Sequence, residues 1–71
     1  MRIGILHGDR VNKNGSLQPH TKAKADAAID LYNERLIDYL LVCGEGEVES
    51  ISSYLQKENI RRERIVKEGF L

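Results

Sequence analysis

Tyr39-Leu40-Leu41-Val42-Cys43-Gly44 is the stretch on which the fold turns. Its unbroken apolar run is too short for a helix and lacks the alternation of a strand with one wet face. Stopped by Gly44, it matches a strand covered on both faces, the pattern of a central strand in a parallel sheet.

The segments on either side fit that placement. Upstream, Pro19 suits an early helical position because its missing N–H is not needed there, and strong helix formers follow. A helix is expected from Pro19 to Arg35. Ala25, Ala28, Ile29, Tyr32 and Leu36 form its apolar stripe, and Lys22, Asp26, Asp30 and Glu34 form its wet face. Before it, residues 2 to 8 (Arg-Ile-Gly-Ile-Leu-His-Gly) give a first strand ending at a glycine, followed by a loop with Asn14-Gly15 as its turn signal. Downstream, Val48, Ile51 and Leu55 predict a second helix from Glu47 to Lys57, with Asn59 as its stop, and Ile65-Val66 predicts a short third strand. Strand, helix, strand, helix, strand implies parallel strands joined by right-handed crossovers, a Rossmann-like α/β βαβαβ unit of two or three layers.

The bulk numbers bound the function. With 71 residues, 41% hydrophobic and 31% charged, the chain has a globular composition and room for one domain. A chain of this size buries only about 60% of its unfolded surface, and parallel sheets need both faces covered. Homo-oligomerisation, or a missing C-terminal half, is therefore expected. The formal net charge is zero, without the basic excess of a nucleic-acid binder. The distribution is uneven: residues 1 to 24 carry +4, residues 25 to 49 carry −6 and the remainder +2. No apolar stretch approaches the roughly 20 residues that span a bilayer. One cysteine, Cys43, and no secretory leader make a reducing cytoplasm the expected setting.

In parallel sheets ligands sit beyond the carboxyl ends of the strands. Those ends gather Gly8 and Asp9, then Gly44, Glu45, Gly46 and Glu49, then Glu68. Glycines there let backbone approach a ligand and tolerate positive φ, although an ordinary strand-to-helix turn needs them equally. Glu45, Glu47 and Glu49 crowd the start of the second helix, where acids stabilise the dipole by roughly 0.3 to 1 kcal/mol each. They would repel a phosphate and favour ribose hydroxyls, an amine, a sulfonium or a metal ion. Arg10, Lys13, His20, Lys22 and Lys24 surround the start of the first helix, so the rim is bipolar and suits a small polar, zwitterionic or nucleoside-containing molecule.

Other chemistries find thinner support. Asp9, Glu49 and Glu68 are too scattered for a metal signature, and no metal is expected. His7 and His20 lack zinc spacing, and Cys43 reads as a small buried hydrophobe, with a Cys43/His7 nucleophile pair as the sharper alternative. Ser50, Ser52 and Ser53 lack a nucleophile elbow.

An ordered set of short motifs carries a resemblance. Gly8, then Gly15-Ser16-Leu17-Gln18-Pro19-His20-Thr21 and Ala28-Ile29-Asp30-Leu31-Tyr32, match a glycine after strand one, G-x-L-x-P-x-T and A-x-x-L-Y. Leu40 to Gly44 with Gly46 and Glu49, Tyr54-Leu55, Asn59-Ile60 and Ile65-Val66-Lys67-Glu68-Gly69-Phe70 continue it. Together they resemble the first half of the SanA/YdcF/ElyC family domain. The resemblance implies a partial α/β domain, adds Thr21 and Lys24 to the candidate ligand residues, and offers S-adenosylmethionine as a candidate for a cofactor that the residues leave unknown. Lys24 stands where the family carries arginine, which loses the bidentate fork, and Glu45 replaces a glycine of the turn.

Two functions compete at this point. One is a small-molecule-binding domain, enzymatic or not in its full-length form. The other is a short non-catalytic protein that dimerises through an uncovered sheet face or its third-strand edge.

Overall fold

The structure, a computed structural model, describes residues 1–8, 12–44 and 47–69. Three strands, β1 (Ile3–His7), β2 (Tyr39–Gly44) and β3 (Ile65–Gly69), alternate with helices α1 (Pro19–Asn33) and α2 (Val48–Lys57), and a single 3₁₀ turn (Arg62–Arg64) leads into β3. All strands are parallel in the order β1-β2-β3, with Ile3 beside Tyr39 and Leu40 beside Ile65. The apolar run Tyr39–Cys43 is the central strand, as its composition predicts.

Both helices lie on the same face of this sheet. Two crossovers of one hand that step in one direction along a sheet place their helices on the same side. The core follows: Leu6, Leu40, Val42 and Ile65 from the strands pack with Ala25 and Ile29 of α1 and Val48, Ile51 and Leu55 of α2 in one cluster. Leu17, Ala28, Tyr32, Ile37 and Tyr54 border it. The Tyr54 hydroxyl donates to Asp26 Oδ1 and ties α2 to α1. Asp26, which the periodicity assigns to the wet face, is thus partly buried; Leu36, assigned to the apolar stripe, is 47% exposed.

The opposite sheet face has no helix among the described residues. Strand alternation places Ile3, Ile5 and His7, then Tyr39, Leu41 and Cys43, then Val66 and Glu68 on it. Ile5 is 63% exposed, whereas Leu40 on the covered face is fully buried. The expectation of a central strand covered on both faces is met on one face only. The unit has two layers, because an order without reversal never sends a helix to the second side.

Both helices end in Schellman motifs. At the end of α1 the Arg35 N–H donates to Tyr32 O and the Leu36 N–H to Leu31 O, with Arg35 at φ 63°. At the end of α2 Asn59 adopts φ 73°, its N–H bonding Gln56 O and that of Ile60 bonding Leu55 O. Asn59 tolerates the left-handed region and is legible as a stop; arginine does not advertise it, so the sequence extends α1 two residues too far. At the start of the chain, Arg2 fastens the amino end of β1, its N–H donating to Asp38 Oδ2 at 3.0 Å and its guanidinium to Arg35 O at 3.0 Å.

Candidate functional site

The carboxyl ends of β1 and β2 lie side by side: the Gly8 N–H donates to Cys43 O at 2.7 Å, one residue beyond the β1 strand. Gly44 follows at φ 151°, a conformation that L side chains rarely adopt. The space above both glycines is occupied by this chain's own Glu47. A Cβ on Gly8 would meet Glu47 Cγ at 2.3 Å and Ile51 Cδ1 at 2.9 Å; one on Gly44 would meet Glu47 Oε1 at 2.6 Å. Glycine is required at these two strand ends because an acidic side chain lies across them. That carboxylate makes no capping hydrogen bond to α2, although Glu47 is its N-cap residue.

A cleft of about 200 Å³ is lined by Gly15, Ser16, Leu17, Lys22, Ser50 and Tyr54, without Glu47 itself. It forms where the loop after β1 meets the first turn of α1 and the first two turns of α2. The loop is held by its own polar groups. Gly15 N–H donates to Asn12 O at 2.8 Å to close a turn with Gly15 at φ 85°, and Asn14 Oδ1 accepts from the Ser16 N–H and hydroxyl at 3.0 and 2.7 Å. The Asn14-Gly15 turn signal is met. Ser50 sits one helical turn beyond Glu47 and faces the same side. The Tyr54 hydroxyl has its pKa pushed up to about 12, first by its hydrogen bond to the Asp26 carboxylate and then by burial, so it stays a neutral hydroxyl.

The candidate residues from the sequence fall in different places. Gly8 and Gly44 meet under Glu47. Asp9, Glu45 and Gly46 lie outside the described residues. Thr21 is buried at the start of α1, and its hydroxyl has no hydrogen-bond partner among the described residues. Lys24 lines a different hollow, an apolar groove of about 430 Å³ between α1 and the free edge of β1, with Leu31 and Ile37. Glu49, at the start of α2, is gripped by Lys67 Nζ at 3.1 and 3.2 Å. Glu68 is exposed on the helix-free face, in one row with Cys43 and His7. The sheet therefore separates Glu68 from Glu49. Among the described residues no three His, Cys, Asp or Glu side chains gather to hold a metal ion.

Sequence reasoning passes over Glu47 as a site residue and treats it only as one of three dipole-stabilising acids. Its signal was available: an acid three residues past Gly44, with a glycine at the end of the neighbouring strand. Lys22, Ser50 and Tyr54 carry no such signal, since only the packing of α2 against α1 brings them to one cleft. A further hollow of about 350 Å³, lined by Tyr32, Asn33, Arg35, Ile37, Asp38 and Arg64, lies at the amino ends of the strands, opposite to where parallel sheets bind ligands.

No helix among the described residues is long and apolar enough to cross a membrane. Comparison of the chain with protein-family models, with curated proteins and with solved structures finds no match.

Proposed function

We propose that this chain binds a small polar molecule of the nucleoside or S-adenosylmethionine type at the carboxyl rim of its sheet, with Glu47 as the principal acceptor. The observation that carries the reading is the Glu47 carboxylate laid over Gly8 and Gly44 without a capping partner. A carboxylate in that position accepts hydrogen bonds from vicinal sugar hydroxyls and attracts an amine or sulfonium, while it repels phosphate. Ser16, Ser50 and the neutral Tyr54 hydroxyl add polar contacts in the cleft, and Lys22 adds a cation for a ligand carboxylate. About 200 Å³ is less than the roughly 300 to 1,000 Å³ of sites that enclose a drug-sized ligand, so the cleft takes one part of such a molecule. Membership of the SanA/YdcF/ElyC family and a cytoplasmic setting, in which the buried Cys43 thiol stays reduced, go with this proposal.

Calorimetric titration with S-adenosylmethionine, adenosine and adenosine monophosphate is the test. Adenosine or S-adenosylmethionine should bind, the monophosphate should bind more weakly, and Glu47→Gln should weaken binding about tenfold, the loss of a charge-assisted hydrogen bond. Silence from all three ligands at millimolar concentration would remove the proposal.

A further inference from the structure

The helix-free sheet face is organised in three rows across the strands. Ile3 and Tyr39 form the first, with the Arg64 guanidinium 4.9 Å from the Tyr39 ring centroid. Ile5, Leu41 and Val66 form the second, and His7, Cys43 and Glu68 the third. Ile3 is 51%, Ile5 63% and Val66 44% exposed on it, while Leu41 is half-buried and Cys43 buried. Purely parallel sheets occur almost only with both faces covered, so a bare apolar face is a surface awaiting an occupant.

We propose that the occupant is a second copy of this chain, seated face to face about a two-fold axis that runs across the strands through the Ile5–Leu41–Val66 row. The charge pattern selects this arrangement. Such an axis lays the apolar middle row on its own copy and turns each β3 over the other, antiparallel. Glu68, two residues beyond Val66, then lies over Arg64 of the other copy, two residues before Val66, and the pair forms twice. Packed sheets stand about 10 Å apart, which an arginine and a glutamate span together. Three strands of five residues make a face of about 14 by 17 Å. Stacking two such faces covers roughly 500 Å² in all, the size of a weak, transient interface, so a dissociation constant of tens to hundreds of micromolar is expected. The same faces about an axis along the strands would oppose Cys43 to Cys43 and leave Arg64 over Ile3, without the paired charges. The glutamate that the rim reading counts as a ligand group is here an interface residue.

Sedimentation equilibrium between about 5 and 500 μM is the test, because this range brackets a dimer of that strength. The chain should pass from monomer to dimer. Ile5→Lys and Val66→Lys should each raise the dissociation constant about tenfold or more, with far-UV circular dichroism unchanged because both side chains are already exposed in the monomer. Glu68→Arg and Arg64→Glu should each weaken self-association, and an equimolar mixture of the two should recover wild-type affinity as a heterodimer, since both cross-copy pairs are then restored. A monomer throughout the range, or a dimer indifferent to Ile5→Lys and Val66→Lys, would overturn the proposal. Failure of the mixture to recover, or a Cys43–Cys43 cross-link formed readily under mild oxidation, would overturn the antiparallel seating.

Discussion

The two faces of the sheet are made of similar residues and have opposite fates. Leu6, Leu40, Val42 and Ile65 are 0 to 8% exposed under the helices, while Ile3, Ile5 and Val66, on the same strands, are 44 to 63% exposed. Composition does not separate the faces; the path of the chain does. Each crossover returns its helix to the same side, so one set of aliphatic side chains gains dense contacts and the other keeps water. Apolar residues on a strand are thus no guarantee of a core, and the energetic weight of a side chain here depends on which side of the sheet it leaves.

The largest effect is expected at the centre of the covered face. Leu40→Ala should cost about 3 kcal/mol in urea unfolding, since a fully buried leucine leaves a cavity that its neighbours fill only in part. At the rim of that face, Gly44→Ala should cost about 2 kcal/mol, combining a strained φ of 151° with a collision at Glu47. The companion Glu47→Ala should recover part of this loss by removing the obstruction; if it recovers none, the strain is all in the backbone. Between the helices, Tyr54→Phe should cost about 1.5 kcal/mol at neutral pH through loss of a hydrogen bond to a carboxylate.

The same tyrosine makes a pH prediction. Its folded pKa of about 12 lies above the ordinary 10.0, so folding favours the protonated phenol. That contribution is complete below pH 10 and is lost as pH rises from 10 to 12. The stability difference between wild type and Tyr54→Phe should therefore shrink across this window, and a constant difference would show that the phenol is not held by Asp26. Next in size, Thr21→Val should raise stability by about 1 kcal/mol, because it replaces an unpartnered buried hydroxyl with a methyl group of the same shape. The smallest effect belongs to the bare face: Ile5→Thr should lie within about 0.5 kcal/mol of wild type in dilute solution. Should Ile5→Thr approach the cost of Leu40→Ala there, the contrast between the faces would be false.

Much of the architecture is legible before folding. Tyr39–Cys43 announces a central strand, Pro19 opens α1 at its observed start, and Asn59 closes α2, each through a local chemical preference that needs no distant partner. The end of α1 is less legible, because Arg35 enters the left-handed region under the pull of two carbonyls and has no intrinsic liking for it. Asp26 misleads for a similar reason: its position on the helix wheel is polar, and only the arrival of Tyr54 from α2 draws it inward.

The candidate site is less readable still. Gly8 and Gly44 are visible as strand-ending glycines, but the sequence leaves open what fills the space they create. Glu49 and Glu68 look alike as acids near strand or helix ends, yet one is paired with Lys67 beside α2 and the other stands on the opposite face. Side-chain period two fixes that neighbouring strand positions point apart, without saying which of them faces the helices.

By itself, then, the sequence determined the elements, their order and their parallel direction, because strand and helix periodicity, glycine, proline and asparagine act over a few residues. The tertiary structure alone decided that both helices share one face, that Glu47 covers the two glycines, and that an apolar surface remains in water. Those outcomes depend on contacts between segments tens of residues apart, and no local preference encodes them.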